Sequence, residues 1–127
     1  MNFFNYLRVL LIQGNIILKA NVNIWAIEKD PSIKLLLLLL NEAISADNFY
    51  ISDNHQLDSR AIRIYKTDDY LMSAYIYTYG QNEGYYGVHL EFPFHDDMDI
   101  SSSLDIYEGI RFESLVDLLQ THFDLSL

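Results

Sequence analysis

Apolar positions along this chain follow a helical period, then a two-residue period, then a helical period again. Phe3, Leu7, Leu10 and Ile17 fit one face of a helix over Phe3 to Leu18, although "LLIQGNII" also allows two strands turning at Gly14-Asn15. Helix is the favoured reading. In "DPSIKLLLLLLNEAISAD", Asp30 is placed to N-cap and Pro31 to occupy the first helical position. The leucines cover more than one face, which predicts a well-buried helix ending near Asp47-Asn48.

The period then shortens. "FYIS" (Phe49 to Ser52) reads as a short strand and "SDNHQLDS" as a polar loop. "RAIRIYK", "YLMSAYIYTY" and "YYGVHLEF" follow as strands, separated by "TDD" and by "GQNEG". Strand alternation sends Ile62, Ile64, Met72, Ala74, Ile76, Val88, Leu90 and Phe92 to one side. Arg63, Tyr65, Ser73, Tyr75, Tyr77, Tyr79, Tyr85, His89 and Glu91 go to the other, a face of side chains that tolerate water. Pro93 cannot donate to a ladder and ends the last of these strands.

"FHDDMDISSSLD" reads as an acidic loop and "IYEGIRF" as an added edge strand. In "FESLVDLLQTHF", Phe112, Leu115, Val116, Leu119 and Phe123 form a helical stripe suited to the aliphatic side of the sheet. The expected fold is α+β: an antiparallel sheet of about four strands, with N-terminal helices and a C-terminal helix packed on one face. A chain of 127 residues is read as one domain, 1–127.

Composition narrows the function classes. Half the residues are hydrophobic, which sets the chain apart from disordered sequences despite a net charge of −10. With no cysteine there are no disulfides, thiolate zinc sites or Cys nucleophile, which suits a reducing compartment. Arg8, Gln13, Gly14, Asn15 and Lys19 interrupt the apolar N-terminal stretch, which is therefore read as mature structure and not as a secretory signal. "LLLLLL" is far short of the about 20 apolar residues a bilayer span needs. A cytoplasmic protein with no membrane role is expected.

Charge is unevenly placed. Between Thr67 and Ile110 there is no Lys or Arg, yet that interval holds nine acidic residues: Asp68, Asp69, Glu83, Glu91, Asp96, Asp97, Asp99, Asp105 and Glu108. Such a surface repels phosphate and speeds encounter with a basic partner, so nucleic acid is not the expected ligand.

Catalytic patterns do not complete. "HLE" (His89, Glu91) matches the H-x-E of zinc deaminases, which also need cysteine ligands. "HDDMD" offers His95, Asp96, Asp97 and Asp99 to a hard cation, but an acidic loop at a chain reversal is the commoner arrangement. Ser101, Ser102 and Ser103 lack a nucleophile elbow, and no phosphate-binding glycine pattern occurs. No enzyme activity, metal or cofactor is expected. His122 is read as a helix-end residue favoured by the macrodipole.

The tyrosines remain. Tyrosine is common in strands, where cross-strand aromatic pairs contribute roughly 0.2–1 kcal/mol each. It is also enriched in interface cores, as rigid contact area with a hydrogen-bonding tip. The candidate partner-binding residues are therefore Tyr75, Tyr77, Tyr79 and Tyr85, with Glu83, Glu91, Asp96, Asp97 and Asp99 as an acidic rim.

"YYGVHLEFPF" followed by "FESLVDLLQTHFDL" resembles bacterial immunity proteins, in particular those paired with contact-dependent growth-inhibition toxins. The resemblance implies a non-enzymatic protein that binds one cognate toxin and blocks its active site or an essential exosite. Such toxins are often nucleases with basic clefts, which fits an acidic surface. The site residues rest on face and charge, not on this resemblance. A phage-type inhibitor mimicking nucleic acid and a small homodimeric binding domain are the alternatives; either a monomer or a homodimer is compatible with the sequence.

Overall fold

The computed structural model describes residues 10–12, 15–19, 24–52, 57–93 and 104–125, the first two segments and Ser52 by backbone alone. Seven strands form one antiparallel sheet in which every strand lies beside its successor in sequence. They are β1 (Leu10–Ile12), β2 (Asn15–Lys19), β3 (Phe49–Ser52), β4 (Ala61–Lys66), β5 (Asp69–Tyr77), β6 (Tyr85–Glu91) and β7 (Leu104–Arg111). The α+β architecture expected from the pattern is present, with a wider sheet than the four strands foreseen.

The extra width comes mainly from the N-terminal part. Where a helix over Phe3 to Leu18 was expected, β1 and β2 form a hairpin in which Leu10 pairs with Ile17 and Ile12 with Asn15. Four apolar positions at helical spacing were outweighed by the Gly-Asn break, by β-branched Ile16 and Ile17, and by the free edge of β3, which β2 satisfies through Leu18–Ile51 and Lys19–Tyr50. Phe3 to Val9 lie outside the described residues.

Helix α1 (Pro31–Leu40) begins as its sequence requires. Asp30 Oδ2 accepts from the Ser32 amide at 2.9 Å and from its hydroxyl at 2.7 Å, and Pro31 occupies the first turn. The chain continues through a wide turn at Asn41–Ser45 and a 3-10 turn at Ala46–Asn48 directly into β3. Helix α2 (Phe112–His122) follows β7 without a linker.

Both helices lie on the same side of the sheet. Ile33, Leu36, Leu37 and Leu40 of α1 and Leu115 and Leu119 of α2, with Phe123 just beyond, share one core with Ile51, Ile62, Ile64, Ala74, Ile76, Val88 and Leu90. The pairings Ile62–Ile76–Val88 and Ile64–Ala74–Leu90 align these strand residues in rows across the sheet. Alternation alone thus places Tyr65, Tyr75 and Tyr77 on the far side.

Candidate functional site

The side of the sheet away from the helices is organised in rows. Arg63, Tyr75, His89 and Ile106 are paired in succession across β4 to β7, and Tyr65, Ser73, Glu91 and Leu104 form the row beside them. A third row runs Ala61–Tyr77–Gly87.

Side-chain contacts tie these rows together. Arg63 Nε donates to Glu91 Oε1 at 2.8 Å, and the Ser73 hydroxyl donates to the same oxygen at 2.9 Å. The Arg63 guanidinium also sits 5.2 Å from the centre of the Tyr75 ring. The Tyr75 and Tyr79 hydroxyls are hydrogen-bonded at 3.1 Å. Tyr77 stacks on Tyr79 at 4.6 Å and meets His89 edge-on at 5.4 Å, while Tyr75 lies 5.7 Å from Tyr77 and 5.4 Å from His89. Four rings therefore form one plate over β5 and β6.

Gly87 makes the plate possible. A Cβ at this position would overlap the Tyr77 ring, so only glycine lets Tyr77 lie flat against β6. As a result Tyr77, expected to be water-tolerant, is only 4% exposed, and Tyr65 on the same side is 5% exposed. Alternation chose the side correctly; burial on that side comes from the side chains covering one another. A glycine inside the strand "YYGVHL" was the signal for this close approach.

Burial, followed by the hydrogen bond and charge of Glu108, pushes the Tyr77 phenol up to about 12. Burial and the bond to Tyr79 raise Tyr75 further. Both phenols are neutral at neutral pH.

Tyr85 and Glu83 stand apart from the plate. With Asp30, Ser32, Arg60, Gln81 and Asn82 they line a cleft of about 660 Å³ between the start of α1 and the β5–β6 turn. The Ser32 and Thr78 hydroxyls, 2.8 Å apart, join its two walls. Tyr85 also lies 5.8 Å beneath the Arg111 guanidinium. The structure thus brings together Tyr75, Tyr77, Tyr79 and Glu91, sets Glu83 and Tyr85 at the end of the sheet, and leaves Asp96, Asp97 and Asp99 outside the described residues.

His122, expected as a charged helix-end residue, is buried. Its Nε2 donates to the Ser73 carbonyl at 2.8 Å, Phe92 packs edge-on at 4.7 Å, and Nδ1 has no partner among the described residues. Desolvation lowers its pKa and outweighs the hydrogen bonds and carboxylates that would raise it. Among the described residues no three His, Asp or Glu side chains gather as a metal-binding group, and no helix is long and apolar enough to cross a membrane. Compared with known protein families, curated proteins and solved structures, the chain matches none.

Proposed function

We propose that this chain is a non-enzymatic inhibitor of the immunity type, which binds a basic protein toxin, such as a nuclease domain, through the tyrosine side of its sheet. The observation that carries the reading is the ring plate itself. Tyr75, Tyr77, Tyr79 and His89 are interlocked before any partner arrives, so little side-chain freedom remains to be lost on binding. Arg63, the cation beside the Tyr75 ring, is paired with Glu91, and Glu108 adds a further carboxylate beside Tyr77. A rigid aromatic centre with a negative surround suits a basic protein surface. Such an inhibitor would act in the cytoplasm, where a nuclease meets its substrate.

The test is co-expression with the C-terminal domain encoded by the adjacent upstream gene. Wild-type chain should relieve that domain's toxicity and bind it with an on-rate that falls as salt rises. Tyr75→Ala and Tyr79→Ala should each weaken binding by ~2 kcal/mol by titration calorimetry if they are central contacts. A non-toxic, unbound neighbour would sink the immunity reading; wild-type affinity in both variants would move the contact off this face.

A further inference from the structure

β7 is a terminal strand of the sheet, and no strand pairs with its outer edge among the described residues. From Leu104 to Tyr107 its register with β6 is unbroken, so alternate residues turn their N–H and C=O groups away from the sheet. Natural edges are commonly blunted by lysine, proline or a bulge. β7 contains neither Lys nor Pro. Its register shifts opposite Tyr86–Val88, where Gly109 adopts φ +63° and gives its N–H to Gln81 Oε1 at 2.7 Å. That device closes only the second half of the strand. Before it, Ile106 and Tyr107 point to opposite sides and are 54% and 40% exposed.

We infer that the Leu104–Tyr107 edge of β7 is a docking site for a basic β-strand of a partner protein, added as an eighth strand. Charge selects the occupant. Asp105 lies on the helix side, in register with Leu90, and Glu108 reaches Tyr77 on the tyrosine side, while the strand has no base before Arg111. An incoming strand with Lys or Arg on either face meets a carboxylate. A second copy of this chain is disfavoured: its own strand would bring two further carboxylates, Asp105 and Glu108, and no base before Arg111 to either face. An added strand would also extend the row Arg63–Tyr75–His89–Ile106, so the partner's tyrosine-side residues would continue the ring plate. The inference takes the partner's charge from the inhibitor reading; the pairing itself stands on the edge geometry.

The probe is a ten-residue peptide of alternating Lys and Val, titrated into the isotope-labelled full chain and followed by NMR. Shifts should concentrate on β7 and β6, and hydrogen exchange should slow at alternate β7 amides. An alternating Glu–Val peptide should bind at least tenfold more weakly, as should the Lys–Val peptide to the Asp105→Lys/Glu108→Lys variant. Methylating every backbone nitrogen of the Lys–Val peptide should abolish binding. Equal binding by the methylated peptide, shifts centred elsewhere, or no binding at millimolar peptide would each overturn strand addition. So would a dimer of the free chain that protects the same β7 amides. None of those results touches the Tyr75 and Tyr79 measurements, which test the inhibitor reading separately.

Discussion

The two sides of this sheet come from the same strands by simple alternation, yet they exclude water by different means. On the helix side Ile62, Ile64, Ala74, Ile76 and Val88 are buried by other elements, chiefly α1 and α2. On the tyrosine side Tyr77 and Ser73 are almost as buried, at 4% and 7%, beneath rings and an ion pair contributed by neighbouring strands. Water is excluded in the first case by a second layer and in the second by side chains lying along the sheet. A face without helices is therefore not the same thing as an open face. What distinguishes the sides is the chemistry left outermost: hydrocarbon is sealed in, whereas phenol, imidazole and carboxylate remain at the boundary.

The contrast is sharpest at adjacent positions. Ile76→Ala leaves a cavity among Ile62, Val88 and the helices and should cost ~2–5 kcal/mol by chemical denaturation. A loss below about 1 kcal/mol would mean that the helix side is loosely packed. Gly87→Ala attacks the other side, where the new methyl displaces the Tyr77 ring, and the expected loss is ~1–3 kcal/mol. Tyr77→Ala should absorb most of that penalty in the double variant, because the two positions share one contact. Additive losses would show that Tyr77 does not lie on Gly87.

Titration probes both sides without mutation. Unfolded tyrosines ionise near about 10, whereas Tyr77 is pushed up to about 12 and Tyr75 higher, so folded protein keeps protons that unfolded protein loses. Stability should fall as pH rises from about 10 towards 12, and ultraviolet titration of the folded chain should show late phenols at Tyr75 and Tyr77 on the tyrosine side and at Tyr86, raised by its burial in the core. A single transition near the ordinary value would dissolve the plate. The smallest effect belongs to the helix side. Burial holds His122 below its ordinary value of 6.5, so the unfolded chain takes up that proton first and stability falls as pH drops below about 6.5. His122→Gln, which keeps a donor for the Ser73 carbonyl, should flatten this slope; an unchanged slope would assign it to the carboxylates.

Much of the architecture was legible because strand and helix periods are plain in the central and final segments. Phe49–Ser52 matched its expected bounds, and the stripe on α2 put Leu115, Leu119 and Phe123 into the core. The N-terminal hairpin was not legible, because a short apolar run satisfies either period and the pairing with β3 that decides it comes from residues about thirty positions away. The side chosen for Tyr75 and Tyr77 followed from alternation. Their degree of burial did not, since it depends on a missing side chain at Gly87 two strand positions from His89. Glu83 and Tyr85 were grouped with the plate on charge and spacing, but the β5–β6 turn carries them to the cleft beside α1.

The order of the sheet has a consequence for how the chain reaches this state. Because each strand neighbours its successor, six successive pairings can form in the order of synthesis, each closing a loop no longer than the segment between two strands. The longest of these carries α1 and arrives with its own share of the core. α2 comes after all seven strands, however, and it supplies Leu115 and Leu119, followed by Phe123. A nascent chain stopped before Phe112 would hold a complete ladder whose aliphatic side lacks half its cover, a transient that is sticky on one side and closed by its own side chains on the other. Docking of α2 on the ladder, and not strand pairing, is then the step that covers the aliphatic side of an aggregation-prone ribbon.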